Sequence, residues 1–109
     1  MVIPASIKAG NKTYKVTAIA KNAFKGNKKI TKVVIGANIS KIGKNAFKGC
    51  SKLKKIIIKS KKLKIKNVGN NTFKGINKKA VIKVPKGKVK SYKNIVKARG
   101  AGKKVKVTK

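Results

Sequence analysis

The sequence predicts an α/β, β-rich solenoid of short repeats, with an N-terminal hairpin and a C-terminal capping helix. Three observations carry that prediction. A five-residue motif recurs, as NAFKG at 22–26 and 45–49 and as NTFKG at 71–75, and self-similarity at a near-fixed period is the signature of stacked supersecondary units. Aliphatic residues follow the motif in one frame, Ile30, Val33 and Ile35 after the first copy and Leu53, Ile56 and Ile58 after the second. Hydrophobic residues make up 40% of the 109, enough for one small core in a chain of single-domain length.

Each element follows from this frame. Phe24, Phe47 and Phe73 are spaced by 23 and then 26 residues, inside the roughly 20 to 29 residue period of leucine-rich repeats. The aliphatic positions six, nine and eleven residues past each Phe match an L-x-x-L-x-L frame. In the third copy Lys79 takes the first position while Ile82 and Val84 keep the others, the degeneracy expected of a terminal repeat. Ile19, Ile42 and Val68 stand five residues before each Phe. The frame predicts a strand at KVVIG and KKIIIK and a short helical or irregular turn at each NAFKG. The period of two then turns Leu53, Ile56 and Ile58 inward with Phe47, and leaves Lys54, Lys55, Ile57 and Lys59 on the open surface. Gly26, Gly49 and Gly75 fall where a chain leaving such a turn needs positive φ. The expected units are 16–40, 41–66 and 67–85 within a single domain, 1–109.

The stretch IGKNAFKGCSKLKKIIIK, 42–59, resembles the I-G-x-x-A-F-x-x-C-x-x-L-x-x-I-x-I pattern of BspA-like leucine-rich repeats. The likeness is close over 16–60 and looser over 67–85, and VIPASIKAGNKTYKVTAIAKNAF, 2–24, resembles the family's first-repeat hairpin insertion. The resemblance implies a bacterial surface or secreted protein whose repeats serve adhesion and binding, and hence an extracellular or cell-surface location. It also places Cys50 at a cysteine position that the family uses inside its core. The family commonly carries Asp or Glu beside the Ala-Phe pair, where this chain has Lys44 and Asn45.

Both ends read as caps, which a solenoid needs over its exposed apolar edges. In the N-terminal cap, 1–15, the segment from Ile7 to Val16 reads as a hairpin turned at AGNK, with Ile7, Tyr14 and Val16 as apolar contacts. In the C-terminal cap, 86–109, Val89, Tyr92, Ile95 and Val96 recur at helical spacing before Gly100. KKVKVT then alternates as a final edge strand with Val105 and Val107 inward, its lysines discouraging edge pairing.

Charge decides which functions survive. Lys and Arg number 33 against no Asp, Glu or His, a formal +33, and Arg99 is the single arginine. The inventory therefore lacks a metal triad, a Ser-His-Asp set and a carboxylate pair. Cys50 and five serines remain, and Cys50 reads as a core thiol rather than a nucleophile. The KGNKK, KGCSK and KGINK segments lack the phosphate-loop spacing. No catalytic, cofactor or metal site is expected. No apolar run approaches the ~18 residues of a membrane span, and Met1 leads straight into VIPASIK without a leader, a start that an excised domain of a longer parent would share.

Lysine-dominated charge predicts attraction to polyanions. The first reading is a binding module that holds an anionic polymer, acidic glycan or acidic protein surface, with Lys32, Lys54, Lys55, Lys59 and Lys83 as candidate anion-binding residues. A structural terminal repeat of a larger surface protein is the second. The third is bulk-charge contact with nucleic acid or with an anionic membrane surface, which includes a sequence supercharged by design. Any nucleic-acid binding would be nonspecific, because the three Phe are committed to repeat cores, Trp is absent, and one arginine leaves little scope for bidentate base contacts.

Two lysines about 10 Å apart in water repel by roughly 0.4 kcal/mol before screening. Summed over many pairs, this is comparable with the ~5 to 15 kcal/mol stability of a domain, and salt removes most terms beyond ~8 Å. The melting temperature is therefore expected to rise from low salt to phosphate or sulfate buffer. A flat calorimetric series would show the repulsion to be negligible.

Overall fold

The computed structural model describes residues 2–3, 6–9 and 12–109, and side chains at 2–3 and from 16 onward. In chain order the elements are β1 (Val2–Ile3), β2 (Ser6–Ala9), β3 (Lys12–Lys15), β4 (Ala18–Ile19), β5 (Lys32–Ile35), β6 (Lys41–Ile42), β7 (Lys55–Ile58), a 3-10 turn at Ile65–Asn67, β8 (Val81–Lys83), α1 (Val89–Ala98) and β9 (Lys106–Thr108). Parallel pairing orders one sheet as β1-β5-β7-β8-β9. On a second side of each coil β4 pairs β6 in parallel, and a bridge from Ile42 to Val68 carries that ladder into the third repeat. β2 and β3 pair antiparallel with Ile7 opposite Tyr14. Gly10 and Asn11 of the expected AGNK turn, and the side chains of Ile7 and Tyr14, lie outside the described residues.

The NAFKG turns are a third ladder. The amides of Asn22, Phe24 and Gly26 donate to the carbonyls of Lys44, Ala46 and Lys48 at 2.9, 2.8 and 2.7 Å, and those of Asn45, Phe47 and Gly49 donate to Asn70, Thr72 and Lys74 at 3.1, 3.1 and 2.8 Å. The intervening amides of Ala23, Lys25 and Asn27 turn back to Ala20, Asn22 and Phe24. Alternate amides thus serve the next coil and their own turn, which answers the backbone's hydrogen-bonding demand. The alternation needs two left-handed residues per turn. Gly26, Gly49 and Gly75 supply one, at φ 72, 79 and 80°, as expected, and Asn22, Asn45 and Asn71 supply the other, at φ 60, 61 and 60°. Asn tolerates that region better than most residues with a Cβ.

Successive coils touch closely at one point. A Cβ on Gly43 would lie 2.3 Å from the Lys21 nitrogen, and one on Gly69 would lie 2.3 Å from the Lys44 nitrogen. The equivalent place in the first copy holds Ala20, whose own carbonyl carbon would lie 2.7 Å from a Cβ on Gly43.

The core fills the space between these ladders. Val33, Ile35, Ile56, Ile58 and Ile82 point inward and are buried. Phe24, Phe47 and Phe73 form a stacked column, with centroids 5.6 and 6.3 Å apart and ring planes within 7° and 20°, an arrangement that adds ~0.5 to 1.5 kcal/mol per pair beyond burial. Ile39 and Leu63, which lie between the repeat's two strand sides, are buried too. The longer second spacing, Phe47 to Phe73, is taken up by the 3-10 turn, which leaves Ile65 46% exposed. Lys79 is exposed, and the adjacent Ala80 is wholly buried in its stead.

α1 buries Tyr92, Ile95 and Val96. The Tyr92 hydroxyl donates to the Ser60 carbonyl at 2.7 Å and accepts from the Leu63 amide at 3.2 Å. Arg99 follows the helix. Its Nε donates to the Val68 carbonyl at 2.7 Å, Nη2 to the Ile65 carbonyl at 2.9 Å and Nη1 to Asn70 Oδ1 at 3.1 Å, while its own carbonyl accepts from the Phe73 amide at 3.0 Å. The final strand is shorter than KKVKVT implied, because 103–104 form a turn. Val105 is buried ahead of β9 and Val107 is half-buried within it.

The single arginine therefore stands where a planar fork meets three acceptors, a geometry that a point-charge ammonium cannot reproduce. Arg99→Lys keeps the net charge and is expected to cost about 1 to 3 kcal/mol of unfolding free energy through the acceptors it abandons. Urea unfolding of the variant checks this, and an unchanged midpoint would show the fork to be dispensable.

Candidate polyanion-binding surface

Parallel register decides which lysines share a face. Lys32, Lys55, Val81 and Lys106 are aligned across β5, β7, β8 and β9, and Val34, Ile57, Lys83 and Thr108 form the next outward row, reached by Val2 at the β1 edge. Neighbouring strands lie about 4.8 Å apart, so Lys32 and Lys55 stand side by side. Like charges directly opposite repel, and the inward neighbours Val33 and Ile56, both wholly buried, hold the register in spite of that. Val2 is 65% exposed, and with Val34 and Ile57 it gives the face a short aliphatic strip among the lysines.

The five candidate lysines do not form one cluster. Lys59 follows β7, held by its amide on the Ile35 carbonyl at 2.9 Å. It shares an open cleft of about 370 Å³ with Lys83, Lys109, Ile57, Val84 and Pro85. Lys32 and Lys55 form a separate aligned pair. Lys54 is exposed but lies just ahead of β7 and out of phase with Lys55, Ile57 and Lys59; its amide donates to the Thr31 carbonyl at 2.9 Å. Lys106 extends the first outward row, and Lys109 joins the cleft. The parity of KKVKVT, which turns Val105 and Val107 inward, already implies an outward Lys106.

The face carries positive charge without an acidic counterpart. Its lysines are donors only, and no side chain in the sequence carries a compensating negative charge. Cys50 lies away from it, wholly buried, with its thiol donating to the Phe24 carbonyl at 3.0 Å. Burial pushes the thiol pKa up, against a smaller lowering by a backbone hydrogen bond from Asn27. A group held protonated in this way is a poor nucleophile. Among the described residues no group of three metal-ligating side chains comes together, and no helix is long and apolar enough to cross a membrane.

Comparison with known proteins bears on the repeat rather than on the lysines. The family model described as a BspA type leucine rich repeat region (6 copies) matches residues 6–97. A leucine rich cell surface protein from Faecalibacterium prausnitzii A2-165, known from a crystal structure, superposes with a TM-score of 0.54 and 24% identity, over 79% of this chain and 29% of that one. At this identity the likeness is one of fold, and the present chain spans under a third of that protein. No curated protein matches the chain.

Native Cys50 is expected to resist iodoacetamide at pH 8 and to react within minutes once the chain is unfolded. Mass spectrometry of the labelled protein reads the difference, and fast native labelling would contradict a buried, protonated thiol.

Proposed function

Because the chain belongs to the BspA-type leucine-rich repeat family, we propose that it is a non-catalytic binding module of a secreted or cell-surface bacterial protein. In this reading it holds an anionic polymer, acidic glycan or acidic protein surface against the outward strand face. One observation carries the reading: register aligns Lys32, Lys55 and Lys106 in one row and sets Lys83 in the next, on a sheet whose opposite side is filled by the core. A surface of this kind binds by steering and neutralisation, with an affinity that falls as salt rises. The surface location draws support from the superposed protein, which is described as a leucine rich cell surface protein.

Residues 1–109 act here as one domain with repeat units at 16–40, 41–66 and 67–85. The segment 1–15, which carries β2 and β3, and the helix and strand of 86–109 serve as its two caps. The lack of His, Asp and Glu supports a non-enzymatic role, since acid–base and metal chemistry draw on those side chains.

The test is binding to anionic glycans, cell-wall polymers, nucleic acids and anionic vesicles across a salt series. One class is expected to persist above about 0.15 M salt, where the Debye length has fallen to ~8 Å. Replacing Lys32, Lys55, Lys59 and Lys83 by Gln should weaken that class about tenfold or more, and further than replacing Lys21, Lys25, Lys28 and Lys29. Equal losses from both sets, or parallel decay of all classes with salt, would mean a cationic scaffold without a dedicated face.

A further inference from the structure

A further group of lysines gathers at the β9 edge of the sheet. Lys79, Lys93, Lys97, Lys103, Lys104 and Lys106 line a single cavity of about 800 Å³, a volume within the ~300 to 1,000 Å³ typical of small-ligand sites. They come from four pieces of chain. Lys79 precedes β8, Lys93 and Lys97 stand on one face of α1 at i, i+4 spacing, Lys103 and Lys104 occupy the turn before β9, and Lys106 lies on β9 itself. Val81, Val105 and Val107 supply the apolar part of the lining. A second cavity of about 890 Å³ shares Lys79, Lys103 and Lys104, so these three side chains border both.

We propose that this cavity is a second binding site, built for a compact oligophosphate. The proposal does not rest on the strand-face reading, although Lys106 borders both surfaces. Consecutive residues start with Cα atoms about 3.8 Å apart, and i, i+4 neighbours on a helix with Cβ atoms about 5 to 6 Å apart. Stems rooted this close can bring their ammonium groups within a Debye length of ~8 Å at physiological salt, where bulk ions screen repulsion incompletely. With no acidic side chain anywhere in the sequence, the chain supplies no counter-charge of its own here, and a bound anion would supply it. A short chain of phosphates brings several charges into the cavity at once and answers ammonium groups from all four segments together. A single orthophosphate reaches fewer of them, and a stiff polymer passes across the mouth. The negative end of the α1 dipole amounts to about half a charge, small against six ammonium groups.

Inorganic tripolyphosphate is the probe, titrated calorimetrically into the whole chain at about 0.15 M NaCl. We expect one saturable equivalent, weakened about tenfold or more by Lys93→Gln/Lys97→Gln/Lys104→Gln. The control Lys21→Gln/Lys25→Gln/Lys28→Gln removes the same charge from the first repeat and should shift the affinity by no more than about twofold. Lys103→Gln/Lys104→Gln/Lys106→Gln, three exposed positions, is expected to weaken binding comparably, and it decides the matter if the helix variant fails to fold. Equal weakening by control and cavity variants, uptake at many unsaturable sites, or equally tight orthophosphate binding at matched ionic strength would each overturn the proposal.

Discussion

Alternate backbone amides of each NAFKG turn donate to the carbonyls of the next coil, and the rest of the solenoid depends on that stacking. The bonds from Asn22, Phe24 and Gly26, repeated from Asn45, Phe47 and Gly49, set one coil directly on the next. The phenylalanines between them therefore stack as a column rather than packing at random angles. The same closeness leaves no room for a Cβ at Gly43 or Gly69. Backbone hydrogen bonding, aromatic stacking and a glycine requirement are thus three results of a single spacing between coils.

That spacing also explains how the fold carries +33. Strands in parallel register put equivalent residues side by side, so a repeat with lysine at one outward position lines lysines up across the sheet, as with Lys32 and Lys55. Burial opposes the resulting repulsion. The inward row Val33, Ile56 and Ile82 is wholly buried, and fully burying such side chains stabilises by ~1.5 to 3 kcal/mol each, several times the repulsion of an exposed pair in water. Long lysine stems can also lie along apolar surface while their ammonium groups stay wet. Charge is tolerated because it is kept to the outer face of a core that its repeats fill independently. An anionic partner would find that charge already arrayed.

Arg99 shows the opposite use of a cation. Every other basic residue is a lysine, whereas the one guanidinium joins the end of α1 to the Ile65 and Val68 carbonyls and to Asn70. Tyr92 ties the same helix to Ser60 and Leu63. Both side chains reach carbonyls or amides of the irregular segment 59–70, which lies within the longer of the two Phe spacings. The helix thus supplies hydrogen-bond partners to that segment.

The sequence by itself determined the repeat: the recurrence of Phe24, Phe47 and Phe73, the inward aliphatic frame, the glycines at positive φ and the amphipathic stretch over α1 are all periodic signals, and periodicity is local. The asparagines were equally visible in all three copies, but their left-handed backbone follows from hydrogen bonds to a neighbouring coil, which no single repeat displays. The substitution of Ala80 for the frame position at Lys79, and the 3-10 turn that absorbs the longer second spacing, likewise depend on how that coil meets its neighbours. The candidate surface divides in the same way. The strand pattern assigned Lys54, Lys55 and Lys59 to the open face, but such a pattern cannot say which lysines are neighbours. Only tertiary structure separated the Lys32 and Lys55 pair from the Lys59 and Lys83 cleft, left Lys54 out of phase, and gathered six lysines from four segments around one cavity. Long-range register brought those segments together, and a uniform lysine composition carries no trace of it.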